Sequence, residues 1–281
     1  MEQLLSRPEI QSALAPFVIA LLVYLGLRKF TGVAWLWALM AAFLASAALI
    51  NGLTVTPLTG TRKIILLVIG ALFIAATFRW VIPSNGLQRR LSTIISQISL
   101  LWVFWVVVSR MNSTAMVLFL VGSISLVLAL EYLFVRMIDK PAQLHSAGFS
   151  LLLGVGLSAS AAASALLGQL ALALAAASGG AFLGWIVTGN TPAKQSRQPI
   201  AVLPYIIAPA LLGVAAVIFA RLPWYAMIPL TSIPLVVSLV PQKAESRLLS
   251  AILSMLPGLV IALGVSFYVW QAGSSGSSSG Y

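Results

Sequence analysis

The amino-acid sequence predicts an all-α fold, a polytopic membrane bundle of about ten transmembrane helices. Two observations predict this class. Hydrophobic residues make up 60% of the 281 residues and charged residues only 7%, which is too little charge to cover a soluble domain. The apolar residues also form continuous runs of about twenty, the length that a helix needs to cross a bilayer, whereas a membrane β-barrel would show alternating segments of about ten.

Ten apolar runs emerge when charged and turn-forming residues are taken as boundaries. They lie near residues 10–28, 32–53, 64–82, 92–110, 114–137, 146–167, 169–188, 200–220, 224–241 and 248–270. Only the segment LLGQL at 166–170 separates the sixth run from the seventh. A single bent or re-entrant segment there would leave nine spans, and ten is the favoured number.

The connections between the runs are short and leave no room for a soluble domain. The sequence therefore divides into a first five-helix half (1–140), a second five-helix half (141–270) and a Gly/Ser-rich tail (271–281) that is predicted to be disordered. The N-terminal segment lacks the pattern of a cleavable signal peptide and is interpreted as leading into the first spanning helix.

The distribution of Lys and Arg predicts the orientation. Connections after odd-numbered spans carry eleven basic residues: Arg28, Lys29, Arg79, Arg89, Arg90, Arg136, Lys140, Lys194, Arg197, Lys243 and Arg247. The other side carries five: Arg7, Arg62, Lys63, Arg110 and Arg221. By the positive-inside rule, both termini should lie outside the cytoplasm. We expect the membrane to be a bacterial inner membrane.

Two polar stretches, TPLTGTRKII at 56–65 and TPAKQSRQPI at 191–200, resemble each other in register. The matching residues are Thr56, Pro57, Thr61, Arg62 and Ile65 in the first stretch and Thr191, Pro192, Ser196, Arg197 and Ile200 in the second. A shift of 135 residues between them superposes the first five spans on the last five. A duplicated unit of five spans must enter the membrane inverted, which gives the 5+5 inverted repeat of many secondary transporters.

The two stretches also have an ordinary interpretation, because Pro restricts a turn, Thr caps a helix and Arg anchors to phosphate. The sequence leaves both interpretations open. In architecture, two inverted five-helix halves are similar to ten-helix carriers such as the drug/metabolite transporter superfamily. The chain carries no sequence signature specific to that superfamily, so no membership is inferred.

Composition excludes several kinds of chemistry. The chain has no Cys and a single His, which rules out disulfides, thiolate metal sites and a bis-histidine haem held by this chain alone. Its five acidic residues are too scattered for a metal-dependent transferase. The basic residues are dispersed between apolar runs, which fits lipid headgroups rather than nucleic acid. We therefore expect no metal, no cofactor, no nucleic acid and no enzymatic activity, with membrane lipids as partners.

Few polar side chains within the runs are candidates for a functional role. Gln97 lies deep in its span and could contact a substrate or a neighbouring helix. Glu131 lies near a helix end, where an ion pair with Arg136 is more expected than a role in proton transfer. His145 follows DKPAQL and is predicted to be exposed in a connection.

Prolines concentrate in the second half of the chain. Pro204, Pro209, Pro229, Pro234 and Pro257 lie inside apolar runs, where each is expected to remove a backbone hydrogen bond and bend its helix. A cavity or gate is therefore predicted near spans eight to ten. Gln97, Thr231, Pro204, Pro209, Pro229 and Pro234 are the candidates for a substrate path.

These patterns favour a carrier that transports a small, weakly polar or anionic solute by alternating access between two inverted halves. The alternative is a non-catalytic structural or accessory subunit that packs within a larger membrane complex, since buried polarity is scarce and small residues are abundant. A carrier needs a polar cavity between spans three, four, eight and nine, reached by Gln97 or Thr231. An accessory subunit would be dry inside and would present small-residue faces to a partner.

Overall fold

The computed structural model describes residues 7–52, 56–78, 81–82, 84–162, 164–189, 198–241 and 246–276. These residues form an all-α bundle of ten helices without strands, as predicted. The helices are α1 (Ile10–Leu27), α2 (Ala34–Asn51), α3 (Gly60–Thr77), α4 (Asn85–Val108), α5 (Ser113–Arg136), α6 (Pro141–Ala161), α7 (Ala165–Thr188), α8 (Pro199–Phe219), α9 (Trp224–Ser238) and α10 (Arg247–Gly276).

Nine of these described helices are long and apolar enough to cross a membrane. The remaining helix, α9, is apolar but shorter, and it opens with a 3₁₀ turn at Trp224–Ala226. The sixth and seventh runs are two separate helices, because α6 ends at Ala161 and α7 begins at Ala165. Ten helical segments are therefore present in the described part of the chain.

Polar caps decide where several helices begin. The side chains of Thr59, Ser84, Asn112 and Ser164 each accept a hydrogen bond from a backbone amide three residues later, which satisfies one donor of the first turn. The cap at Ser84 starts α4 seven residues before the apolar run that predicted it. Polar first turns are part of these helices, although hydropathy alone assigns them to connections.

The same effect places α6 differently from its prediction. This helix begins at Pro141, five residues before the apolar run. Proline suits the first helical turn, because its missing N–H would have no intrahelical acceptor there. Gln143 and His145 therefore belong to a helix rather than to a connection.

Contacts between elements show that the helices alternate in direction, with α2, α4, α6, α8 and α10 beginning at one end of the bundle. The ring of Trp35 at the start of α2 contacts His145 near the start of α6, and Gln88 at the start of α4 reaches Ile200 at the start of α8. Arg247 at the start of α10 contacts Gly189, which caps the end of α7. We call this end the basic end, because the described residues there include Arg28, Lys29, Arg89, Arg90, Arg136, Lys140 and Arg247.

Three helices form the centre of the bundle. Most residues of α6, α7 and α8 are buried, whereas most of α1, α5 and α10 face outward. The packing is not repeated between the two halves of the chain: α6 lies along α10 of its own half, whereas α1 packs against α2 and against α7 of the other half. The last helix, α10, continues to Gly276, through the first six residues of the tail that was predicted to be disordered.

Candidate functional site

The most polar buried contact at the centre of the bundle is a cluster of three side chains around Tyr205. The Tyr205 hydroxyl lies 3.1 Å from Nδ1 of His145 and 2.8 Å from Oγ of Ser178. These three residues, which we call the tyrosine cluster, come from α8, α6 and α7 and are all buried. When Tyr205 donates its hydrogen to His145, Ser178 donates in turn to Tyr205. The cluster therefore ties the three central helices together with side-chain hydrogen bonds.

Aromatic rings fix the position of Tyr205. Trp35 of α2 and Phe134 of α5 both stack on the Tyr205 ring, each with its ring centroid 5.6 Å away. Gly148 makes room on α6, since a Cβ there would lie 2.6 Å from Cδ1 of Tyr205. The tyrosine cluster therefore joins the central helices of the second half to two helices of the first half.

The prediction for His145 was wrong. Its side chain is only 4% exposed, and it contacts the rings of Trp35 and Phe182 in addition to the Tyr205 hydroxyl. The physical reason is the helix start at Pro141, which carries His145 one turn into the bundle. An ionisable side chain within a membrane span is a candidate functional residue, because its burial is costly unless it has partners.

Glu131 forms an ion pair between helices. Its Oε1 lies 3.5 Å from Nε of Arg89, and Thr93 donates a hydrogen bond to its Oε2, so α5 is linked to α4. The partner is therefore Arg89 rather than Arg136, which was the predicted one. Residues five positions apart on a helix point about 140° away from each other, so Glu131 and Arg136 lie on different faces of α5.

Two glutamines form hydrogen bonds between chain segments at the basic end, and neither was predicted from the sequence to have a role. Gln88 donates to the carbonyl of Ile82 at 2.5 Å and to Oε1 of Gln198 at 3.1 Å, and it accepts from the amide of Ile200. Gln143 donates to the carbonyl of Val240 at 2.7 Å, beyond the end of α9. Both lie in the first turns of helices, which the apolar runs had excluded.

A stripe of small and polar residues runs along α6. Ser146, Ser150, Gly154 and Ser158 follow each other at spacings of four, and they face a matching stripe on α10, which lies parallel to α6. The contacts keep a constant register: Ser150 meets Gly258, Gly154 meets Ala262, and Ser158 lies 3.2 Å from Ser266. Small residues at this spacing allow two helix backbones to approach closely. The hydroxyls of Ser146 and Ser150 are buried and have no hydrogen-bond partner among the described residues.

Two of the crevices at the surface of the bundle are lined entirely by described residues. The first crevice, about 450 Å³, lies between α5, α8 and α9, and Thr231 is one of its lining residues. The second crevice, about 290 Å³, is lined by side chains of α1, α6, α7 and α10. Both linings are mainly apolar. Thr231 donates its hydroxyl hydrogen to the carbonyl of Ile228 in its own helix.

Gln97 does not line either crevice. It is half-buried in α4, and its Nε2 is buried without a hydrogen-bond partner among the described residues. It lies one turn deeper in α4 than Thr93, the partner of Glu131. An amide donor without a partner at this depth is an incomplete polar contact rather than a formed site.

The candidate prolines fall into two groups. Pro209 and Pro234 lie inside their helices, and so does Pro257 of α10. Pro209 leaves the carbonyl of Tyr205 without its intrahelical donor, so the turn that carries the tyrosine cluster is weakened. Pro204 and Pro229 lie in the first turn of the α-helical part of α8 and α9, directly after the 3₁₀ turn with which each helix opens. That these two prolines bend their helices stays a prediction.

The first of the two similar loops forms a helix start. Thr59 caps α3 by accepting a hydrogen bond from the amide of Arg62, and the Arg62 guanidinium donates to the carbonyl of Pro57 at 2.7 Å. Thr56 precedes this turn and is exposed. The second loop, with Thr191, Pro192 and Arg197, lies outside the described residues, so the two structures cannot be superposed.

The fold and these contacts define an integral, multi-pass helical membrane protein. Neither a protein-family model nor a curated protein matches the chain. Within the described residues, no group of three or more His, Cys, Asp or Glu side chains could hold a metal ion. Its function must therefore be inferred from the bundle itself.

Proposed function

We propose that this protein is a membrane carrier for a small, weakly polar solute and that it works by alternating access. The observation that carries the proposal is the first crevice. It lies between α5, the last helix of the first half, and α8 and α9 of the second half, which also contact α5 directly. A space between two sets of helices that can move relative to each other is the arrangement that alternating access requires.

The positions of the polar contacts between helices support a carrier that is closed at one end of the bundle. Gln88, Gln143, the Glu131 ion pair and the tyrosine cluster all join different helices near the basic end. The first crevice lies toward the opposite end, where α9 begins and α8 finishes. This arrangement fits a carrier closed at its basic end, with Pro209 and Pro234 as the weakened turns that allow α8 and α9 to bend.

The lining of the first crevice indicates the kind of solute. Its described lining residues are apolar side chains together with the hydroxyl residues Ser123, Ser125 and Thr231, and none is charged. An anionic solute would need a cation or several free N–H donors in the lining. A weakly polar solute therefore fits better than an anionic one.

One observation favours the alternative proposal, an accessory subunit: both crevices are mainly apolar, whereas a carrier was expected to contain a polar cavity. The packing of the small-residue faces is evidence against this alternative. The small-residue stripes on α6 and α10 pack against each other, and Gly180 and Gly184 of α7 pack against α1. These faces are used inside the bundle and are not available to a partner chain. We further propose a bacterial inner-membrane location with both termini outside the cytoplasm, and no catalytic role.

Single-cysteine labelling tests the proposal, since the chain has no cysteine of its own. Thr231→Cys reports on the first crevice and Ser146→Cys on the closed basic end, where Ser146 is fully buried. Gln143→Leu removes a closing contact of roughly 1–2 kcal/mol, which is about a tenfold change in a two-state equilibrium. For an opened state that makes up about a tenth of the molecules, this change raises that fraction to about half, so maleimide labelling should rise about fivefold at Ser146→Cys and fall about twofold at Thr231→Cys.

The fall at Thr231→Cys is the decisive result, because this position is at the far end of the bundle from Gln143. Unchanged labelling at Thr231→Cys would mean that the two ends are not coupled, and the carrier proposal would fail. Purification of the full chain without crosslinking is the second test. A partner protein retained in a stoichiometric amount would favour the accessory subunit.

A further inference from the structure

The second crevice has a shape that fits a hydrocarbon chain. Its walls are α7 and α10, and Phe149 of α6 and Phe17 of α1 contribute to its lining. It extends along α10 from Leu248 to Met255, which is about 10 Å of helix. Its lining residues are all apolar and belong to predicted membrane spans, so the surrounding medium at this depth is the hydrocarbon of the bilayer.

A cation lies at the outer end of this crevice. Arg247 is the first residue of α10 and directly precedes Leu248 of the crevice lining. Its guanidinium occupies the space that a Cβ would take at Gly189, the residue that ends α7 with a φ of 64°. Arg247 is exposed at the basic end.

A second arginine lies on the other side of α7. The Tyr24 ring of α1 packs on Gly184 of α7, and Arg28 follows Tyr24 by one helical turn toward the basic end. Arg28 and Arg247 therefore flank the last turn of α7 from two neighbouring helices. An apolar crevice with an arginine at its end complements a molecule with one hydrocarbon chain and one anionic group.

We propose that the second crevice binds one anionic phospholipid, with an acyl chain in the crevice and its phosphate on Arg247. The position of the crevice within the spans supplies the apolar half of this complementarity, and the arginine at its end supplies the charged half. This site is separate from the first crevice and does not depend on the protein being a carrier. Arg247 also lies near the end of α7, where an arginine can act as a helix cap. Capping alone would give the protein no preference among lipids.

Native mass spectrometry of the purified full chain tests the site, with phosphatidylglycerol and phosphatidylcholine of identical acyl chains as probes. We expect tighter binding of one phosphatidylglycerol. Arg247→Gln should weaken phosphatidylglycerol binding about fivefold and leave phosphatidylcholine binding unchanged. The matched control is Arg110→Gln, an exposed arginine at the opposite end of the bundle.

A second pair of variants tests the acyl chain. Ile252→Trp fills the crevice from a lining position that is 41% exposed, and Leu253→Trp adds the same bulk at a neighbouring position that is 42% exposed and outside the lining. We expect Ile252→Trp to weaken the binding of both lipids and Leu253→Trp to change neither. Size-exclusion chromatography and thermal unfolding confirm that each variant is folded.

Three outcomes would overturn the proposal. The first is equal binding of the two lipids to the unmodified chain. The second is an equal effect within either matched pair of variants. The third is the finding that a tightly bound protein, rather than a lipid, protects position 252 from labelling when Ile252→Cys is examined in membranes.

Discussion

At the scale of single residues, polar side chains in this bundle are positioned by apolar neighbours. Tyr205 is held between the rings of Trp35 and Phe134, and this leaves its hydroxyl within reach of His145 and Ser178. A hydroxyl buried among aromatic rings has no water to bond with, so its partners must come from the protein. The three-way contact therefore contributes to the unique packing of α6, α7 and α8.

Removing this hydroxyl should destabilise the protein. Tyr205→Phe leaves His145 and Ser178 without their shared partner, and we expect a loss of about 1–2 kcal/mol in the free energy of unfolding. Titration of the purified protein with sodium dodecyl sulfate measures this loss. Tyr132→Phe on α5, where the ring is 54% exposed, is the control and should change stability by less than about 0.5 kcal/mol. Equal effects of the two variants would contradict a structural role for the cluster.

At the scale of whole helices, α6 and α10 form the tightest parallel pair in the second half. Their small residues meet in constant register over about two turns, from Ser150 against Gly258 to Ser158 against Ser266. In lipid there is no hydrophobic driving force for apolar helices to associate. Close backbone approach and hydrogen bonds between side chains therefore hold such a pair together. The serines and glycines of these helices are therefore packing residues first.

Enlarging one of these small residues should separate the pair. A Cβ at Gly258 would already lie 2.7 Å from Oγ of Ser150, so Gly258→Val is expected to cost about 2 kcal/mol or more of unfolding free energy. Gly264→Val is the matched control, because it lies on the same helix with open space around its Cβ position. Detergent-titration midpoints compare the two. A control that loses as much stability would show that helix propensity, rather than packing, decides the result.

At the scale of the molecule, side-chain contacts between helices are concentrated at the basic end. Gln88, Gln143, Glu131 and His145 lie there, all within the first or last turn and a half of their helices. The packing of the helices is not repeated between the two halves, so the inverted-repeat hypothesis rests on the two similar loops alone. If the halves share an ancestor, they have diverged in how they pack.

The orientation of the molecule can be measured directly. Arg90→Cys lies at the basic end and Arg110→Cys at the opposite end, and both positions are exposed. By the positive-inside rule we expect a membrane-impermeant maleimide to label Arg110→Cys in intact cells and Arg90→Cys only after lysis. The unmodified chain has no cysteine and provides a clean background. The reverse pattern would place both termini in the cytoplasm.

The sequence predicted the helices well and the polar contacts poorly, for a physical reason. Runs of apolar residues determine which segments cross the membrane, and the ten runs correspond to the ten helices. The buried polar residues, however, lie mostly in first turns that caps and prolines add to the helices, as Pro141 does for His145. Hydropathy cannot detect these turns, although a proline at a helix start is a visible signal.

The partners of polar side chains on neighbouring helices were not predicted, for a different reason. Arg136 was chosen for Glu131 because it is close in sequence, whereas the actual partner, Arg89, is close only after α4 and α5 pack together. Tyr205 and Ser178 carried no local signal except that a tyrosine and a serine interrupt long apolar runs. Side-chain pairing in a bundle depends on how each helix is rotated about its axis and on the register between helices. Neither can be recognised in a single sequence.

The short helix α9 has a consequence for the membrane around the protein. Its 15 residues, from Trp224 to Ser238, span about 24 Å, whereas a typical hydrocarbon core is about 30 Å thick. A short span is accommodated by local thinning of the bilayer, by flanking residues that reach the interface or by association with another helix, whereas the 24-residue α5 needs none of these. We therefore expect any thinning of the bilayer around this protein to occur beside α9 rather than beside α5.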